Sequence, residues 1–279
     1  MNRAHAPRVL SIAGTDPTGG AGMHADLKAI SAMGGYGMAV VTALVAQNTC
    51  GVRSVHVPPV SFLREQLDAV SDDVVIDAVK IGMLADADII ATVRGWLDNV
   101  RPPLVVLDPV MVATSGDRLL DASAEGALRE LCRVADLITP NLPELAVLAE
   151  TAEAADWHQA VSQARQVSRD LGTTVLLKGG HLTGADAPDA LVDARPDPAV
   201  PGGYAEAHAP RVATTCTHGT GCTISSAMAT RIAAGDTWPQ ALERVKAWLT
   251  RALTAAADLE VGQGHGPVDH FVDLRGCIR

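Results

Sequence analysis

Short β-branched and apolar runs alternate along this chain with longer stretches of helical spacing. Val9–Ala13, Ala39–Ala46, Val74–Ile81, Leu104–Asp108, Asp136–Thr139 and Thr174–Lys178 read as strands, several of them apolar on both faces. A strand that is apolar on both faces belongs in a parallel sheet covered by helices on each side. Between the strands, Ala25–Met33, Val60–Val70, Asp86–Val100, Ala122–Val134 and Asp156–Leu171 carry helical spacing, and Trp238–Leu259 follows later. This alternation predicts an α/β fold built on a doubly wound sheet. Thr183–Pro210 is rich in Pro, Gly, Ala and Asp and reads as a surface excursion, or a short hairpin around Ala190–Ala194.

In such a sheet, ligands bind beyond the C-terminal ends of the strands. Polar motifs fall at those ends. Gly14-Thr15-Asp16-Pro17-Thr18-Gly19-Gly20-Ala21-Gly22 follows the first strand and Gln47-Asn48-Thr49 the second. Lys80-Ile81-Gly82-Met83, Asp108-Pro109-Val110-Met111, Thr139-Pro140-Asn141-Leu142-Pro143-Glu144 and Lys178-Gly179-Gly180-His181 end four others. Any one of them could merely cap a helix or close a turn; their recurrence at strand after strand points to a site.

A further motif is the most informative. In Thr217-His218-Gly219-Thr220-Gly221-Cys222-Thr223, two glycines straddle a threonine, and small helix-compatible residues then run on to about Ala234. This predicts a loop turning into a helix whose free N–H groups can hold an anion, most naturally phosphate. Cys222 falls in the first turn, where the same field is expected to lower its pKa and favour thiolate.

Composition narrows the class. The 279 residues allow one large α/β domain or two small ones, and a 48% hydrophobic content supplies a core that must rest on Ala, Val and Leu, because aromatics are only 3%. A formal charge of −10 leaves no basic stripe for nucleic acid. The N-terminus lacks the apolar region of a signal peptide, and no apolar run reaches the ~18 residues of a membrane span. Five scattered cysteines without a C-x-x-C pair read as reduced thiols of a cytoplasmic protein. Gly20-Ala21-Gly22-Met23-His24-Ala25 formally matches the dinucleotide fingerprint, but it starts well beyond the first strand, and Gln47 stands where an acidic residue would hold a ribose. No P-loop is present either.

Taken in order, these motifs, with Thr42–Gln47 before the second and Glu260-Val261-Gly262-Gln263-Gly264-His265-Gly266-Pro267 near the end, resemble the hydroxymethylpyrimidine/phosphomethylpyrimidine kinases of thiamine biosynthesis, members of the ribokinase-like superfamily. The resemblance implies a single three-layer αβα kinase domain over residues 1–279, with a motif-bearing core of about 9–271. It implies ATP and Mg²⁺, phosphorylation of 4-amino-5-hydroxymethyl-2-methylpyrimidine and then of its monophosphate, and a homodimer with no nucleic-acid or membrane partner.

Roles follow from the resemblance and from residue chemistry. Cys222 takes the place of the aspartate base of many relatives, and Gly219, Thr220 and Gly221 form the anion hole. A modest base suffices, because phosphoryl transfer is loose and the acceptor proton can leave late. Gly14, Asp26, Gln47, Met83 and Val110 fall on the substrate side. Gln47 offers the donor and acceptor that suit an aminopyrimidine edge. Lys178, Asn141 and Thr217 fall on the nucleotide side, with Lys246 a weaker candidate expected to be mostly solvated. Asp108 and Glu144, with Asn141, form the expected magnesium shell, although Asn141 and Glu144 could simply cap a helix. A pyridoxal kinase of the same fold is the nearest alternative; relatives of that kind tend to have methionine where Gln47 stands. A catalytically silent scaffold is a more distant one.

Overall fold

The computed structural model describes residues 5–111, 119–120, 122–195 and 200–278. In chain order, β1 (Arg8–Ala13), α1 (Gly22–Ala32) and β2 (Tyr36–Val41) lead to a hairpin of β3 (Leu44–Asn48) and β4 (Gly51–His56). Then come α2 (Val60–Ser71), β5 (Ala78–Ile81), α3 (Ala87–Val100), β6 (Val105–Leu107), α4 (Glu125–Cys132) and β7 (Leu137–Ile138). The second half adds α5 (Leu142–Ala149), α6 (Trp157–Leu171), β8 (Thr174–Lys178), β9 (Asp189–Val192), β10 (Tyr204–Ala207), α7 (Thr220–Ala233), α8 (Trp238–Thr254) and α9 (Val272–Ile278).

Eight strands form one sheet in the order β10-β9-β8-β7-β6-β5-β1-β2. The pairs from β8 to β2 are parallel, and β9 runs antiparallel between β8 and β10. Successive strand side chains point to opposite faces and so divide between two cores. Leu10, Ile12, Val79, Ile81, Leu107 and Leu177 pack on one side with residues of α2 to α6. Val9, Ala78, Val106, Leu137 and Leu176 pack on the other with α1, α7 and α8. The result is the expected three-layer αβα arrangement. Ser11 and Lys80 break the apolar pattern of that second face, and they stand opposite each other in the register of β1 and β5.

The chain leaves β1 for β2 on one side, and β5 joins β1 on the other. The C-terminal ends of β1 and β5 therefore flank the switch point, where α/β sheets bind ligands.

Three expectations change. The run Ala39–Ala46 is two strands in different sheets, because the chain turns at Thr42, whose hydroxyl donates to the Met83 carbonyl at 2.6 Å. Of the two readings of Thr183–Pro210 the hairpin holds and the surface excursion does not: β9 pairs antiparallel with β10, is buried along its length and extends the main sheet. Finally, α8 ends at Thr254, short of Leu259, and a 3₁₀ turn takes over at Ala256–Leu259.

Candidate active site

Two glycine-rich segments meet above the switch point. The Gly14 carbonyl accepts from the Met23 N–H at 2.9 Å, which folds the 14–22 loop back over the end of β1. Gly219 sits at φ 77°, where a side chain is strained, and a Cβ there would run into the Gly20 carbonyl oxygen. The left-handed turn is thus at Gly219, and Gly221 is small for another reason: a Cβ at Gly221 would lie 3.2 Å from an Asp108 carboxylate oxygen and 3.6 Å from Lys178 Nζ. No described side chain caps α7. Thr217 closes the approach to the helix, its carbonyl accepting from the Thr220 N–H at 3.3 Å. The open first turn of α7 therefore faces a lysine and a carboxylate at close range.

Lys178 ends β8 with Nζ 3.4 Å from Asp108, whose other hydrogen bond comes from the Thr139 hydroxyl at 2.8 Å. Asn141 and Glu144 form a reciprocal capping box at the start of α5: Asn141 accepts from the Glu144 N–H at 2.8 Å, and Glu144 from the Asn141 N–H at 2.9 Å. The capping role foreseen for this pair is present. Burial, then the facing Asp108 carboxylate, push the Glu144 carboxyl up to about 7, against the pull of Lys178. Two carboxylates held close in a buried place are a donor set that a divalent cation would relieve. Among the described residues no group of three or more His, Cys, Asp or Glu forms a metal cage. A magnesium ion held by one or two carboxylates plus phosphate and water needs no such cage.

Cys222 overturns its expected state. Burial pushes its thiol up to about 12; Lys80 opposes the shift, while the Asp26 and Asp108 carboxylates add to it. The positive end of a helix does not outweigh desolvation and two nearby carboxylates. Asp26 also differs from expectation. It is fully buried beneath the turn, with its oxygens taken by Lys80 at 2.7 and 2.9 Å, Ser11 at 2.6 Å and Ser226 at 2.8 Å.

A small apolar cluster of Ala43, Val45, Met83 and Ala85, against which Val110 packs, brings together two residues expected on the substrate side. Gln47 lies on β3, in the hairpin and not at the end of a main-sheet strand, beside a register shift at Ala46/Gln47. Its side chain lies near enough to the Asp16 carboxylate to favour the charged form. Asp16 is fully buried and accepts from the N–H groups of Thr18, Gly20 and Ala21 at 2.9, 3.1 and 2.8 Å, and its Oδ2 lies 2.8 Å from His218 Nε2. Burial alone would raise the Asp16 pKa, but these donors hold it below the usual carboxylate range. Asp16 and His218 thus tie the 14–22 loop to the 217–221 turn.

Lys246 is not solvated. It is buried and donates to Asp189 at 2.8 Å, and Asp189 also accepts from the Gly179 N–H at 3.2 Å. Lys246 therefore braces the strand end that carries Lys178.

Asp16, His218 and Lys80 were the residues that sequence reasoning left without roles, although their motifs were in view. The signal for Lys80 was a charge inside an apolar strand, which demands a buried partner.

The comparisons with known proteins agree with this geometry. A Bacillus subtilis pyridoxal kinase solved as its ADP complex superposes with a TM-score of 0.85 at 32% identity, covering 97% of this chain and 99% of the other. The fold is ribokinase-like. The sequence pattern of the phosphomethylpyrimidine kinase family matches residues 16–269, and the chain belongs to that family. The hydroxymethylpyrimidine/phosphomethylpyrimidine kinase of Salmonella typhimurium is 49% identical over 272 residues, which are 97% of this chain and 98% of that protein. The thiamine biosynthesis multifunctional protein ThiED of Corynebacterium glutamicum is 56% identical over 97% of this chain, which spans only 35% of that longer protein.

Proposed function

We propose that the chain phosphorylates the hydroxymethyl oxygen of 4-amino-5-hydroxymethyl-2-methylpyrimidine, and then the resulting monophosphate, with ATP and Mg²⁺, as a step toward thiamine diphosphate. The observation that carries this reading is the end-to-end match with a relative named for those two reactions, together with the glutamine on the substrate wall. The Gln47 amide offers a carbonyl oxygen to accept from the substrate's amino group and an N–H to donate to the ring nitrogen. Met83 and Val110 pack on the ring.

The open turn at Gly219-Thr220-Gly221 holds the transferring phosphoryl group through backbone N–H groups, and Lys178 neutralises nucleotide phosphate. Magnesium, when bound by Asp108 and Glu144 with water, supplies charge neutralisation between phosphates. Cys222 can take the acceptor proton only as thiolate, and although burial keeps that form scarce, the transfer falls late, when the hydroxyl acidifies as the new bond forms. A cytoplasmic homodimer is part of the same reading. No described helix is long and apolar enough to cross a membrane.

Pyridoxal phosphorylation is the second reading, favoured by the close superposition on a pyridoxal kinase. A side-by-side ATP-dependent assay on hydroxymethylpyrimidine, its monophosphate and pyridoxal separates the two. Efficient turnover of the first two is expected, and turnover of pyridoxal alone overturns the reading. Gln47→Met removes both polar atoms and leaves the amino edge unpartnered, a cost of about 1–3 kcal/mol. The ratio of kcat/KM values should then move toward pyridoxal by roughly ten- to a hundredfold. An equal fall for both substrates would show that Gln47 supports the hairpin alone.

A further inference from the structure

The polar cluster under the turn is the least expected part of the core. Ser11 and Lys80 point from adjacent strands into a face otherwise lined by Val9, Ala78 and Val106. Lys80 is fully buried, and its ammonium group bonds both oxygens of Asp26 on α1. Gly82 makes room for it, because a Cβ there would lie 2.9 Å from Lys80 Nζ. The Ser226 hydroxyl closes the cluster from α7 by donating to Asp26 at 2.8 Å. Cys222 stands four residues before Ser226 on the same helix, hence on the same face one turn nearer the open end. A buried ion pair in an apolar core contributes little net stability compared with well-packed hydrophobic groups. Its place beneath the thiol points to another use.

We infer that the Lys80–Asp26 pair is a positioning unit that sets the reactivity of Cys222, with Lys80 promoting thiolate and Asp26 restraining it. Charged groups approach Cys222 from several elements, among them Lys178 at the end of β8, whose Nζ lies 3.6 Å from the Cβ position of the adjacent Gly221. Lys80 approaches from β5, Asp26 from α1, Asp108 from the end of β6, and the Gly22 N–H from the start of α1. From β1 the contribution is the neutral Ser11, which bonds Asp26. From α8, the buried Lys246 is committed to Asp189. Lys80 holds its proton: burial opposes its charge, but Asp26, Cys222 and Asp108 outweigh burial and raise its pKa. It is therefore a permanent positive charge near the sulfur, and the partner carboxylate cancels part of its field.

This assignment predicts effects of opposite sign from two substitutions that remove the same ion pair. The test is the pH dependence of iodoacetamide alkylation at Cys222, read by peptide mass mapping so that Cys50 and Cys216 are scored separately, with chelator present and no substrate. Lys80→Met should slow alkylation of Cys222 about tenfold at fixed pH, and Asp26→Asn should speed it by a similar factor, since one pKa unit is about a tenfold change in thiolate. A purely structural pair would change both variants in the same direction, by loosening the core, and that result overturns the inference. Either single variant leaves an unpaired buried group and can fail to fold, so a double variant, Lys80→Met with Asp26→Asn, is measured alongside them. With both charges gone its rate should fall between those of the two single variants; a rate outside that interval overturns the assignment. Because no substrate is involved, the outcome is independent of which vitamin precursor the enzyme takes.

Discussion

Two helices begin within the same site, and they begin in opposite ways. At the start of α5, Asn141 and Glu144 satisfy each other's backbone N–H groups and Pro143 occupies the first turn, so the end is sealed by its own residues. At the start of α7, Gly219 makes a left-handed turn and no described side chain reaches the free N–H groups. The same donors are answered internally in one case and left open in the other. A helix start can take an anion only where the sequence withholds a cap and leaves room in front of it. The small residues from Gly219 to Gly221 serve that purpose, and the carboxylate and lysine 3.2 and 3.6 Å from the Gly221 Cβ position complete it.

Substitutions at the open end should be the most damaging. Cys222→Ala should lower turnover by about 10²–10⁴-fold, the usual range for a lost general base, with nucleotide binding retained by calorimetry. Near-normal turnover would reduce Cys222 to packing. Gly219→Val both strains the left-handed turn and collides with the Gly20 carbonyl oxygen, so turnover should fall about 10²–10³-fold, as when an oxyanion donor is displaced. Circular dichroism must show a folded variant, and unchanged nucleotide affinity in such a variant would refute the cradle.

At the sealed end the effects move to stability. Glu144 has its folded pKa raised to about 7 by burial and by Asp108, so the fold favours the protonated form. Its contribution is present below the unfolded value of ~4.3 and is lost as pH rises through the folded one. Denaturant unfolding without magnesium should therefore show the parent losing stability relative to Glu144→Gln between about pH 4.3 and 7, a difference absent if the carboxyl is ionised throughout. The smallest effect is expected for Asn141→Ala, which removes one arm of the capping box and should cost about 1 kcal/mol in the same measurement.

The sequence disclosed the open end better than the core beneath it. Gly219-Thr220-Gly221 and the strand-end motifs could be read locally, because glycine spacing and strand periodicity are properties of neighbouring residues. The capping box was likewise visible as Asn141 and Glu144 three positions apart. Lys80 was not interpretable in the same way, since its partner Asp26 lies 54 positions away. Lys246 was misread as solvated for a similar reason, its partner Asp189 being 57 positions distant. The break at Thr42 was hidden because residues on both sides keep strand character, and only a side-chain bond to the Met83 carbonyl reveals the turn. The thiol of Cys222 was misjudged because the helix field is local, while the burial and carboxylates that outweigh it are tertiary.

The bond between Asp16 and His218 joins positions 202 apart, and that between Asp26 and Ser226 joins positions 200 apart. Each closes a loop containing most of the chain, and such contacts form late because their entropy cost must be met before they gain anything. A ribosome releasing this protein delivers the 14–22 loop early and the 217–221 turn late. Lys80 and Asp26 emerge long before Cys222, and neither of these two bonds can form until α7 has followed. A chain arrested midway is then catalytically silent, and it cannot spend ATP while still unfolded.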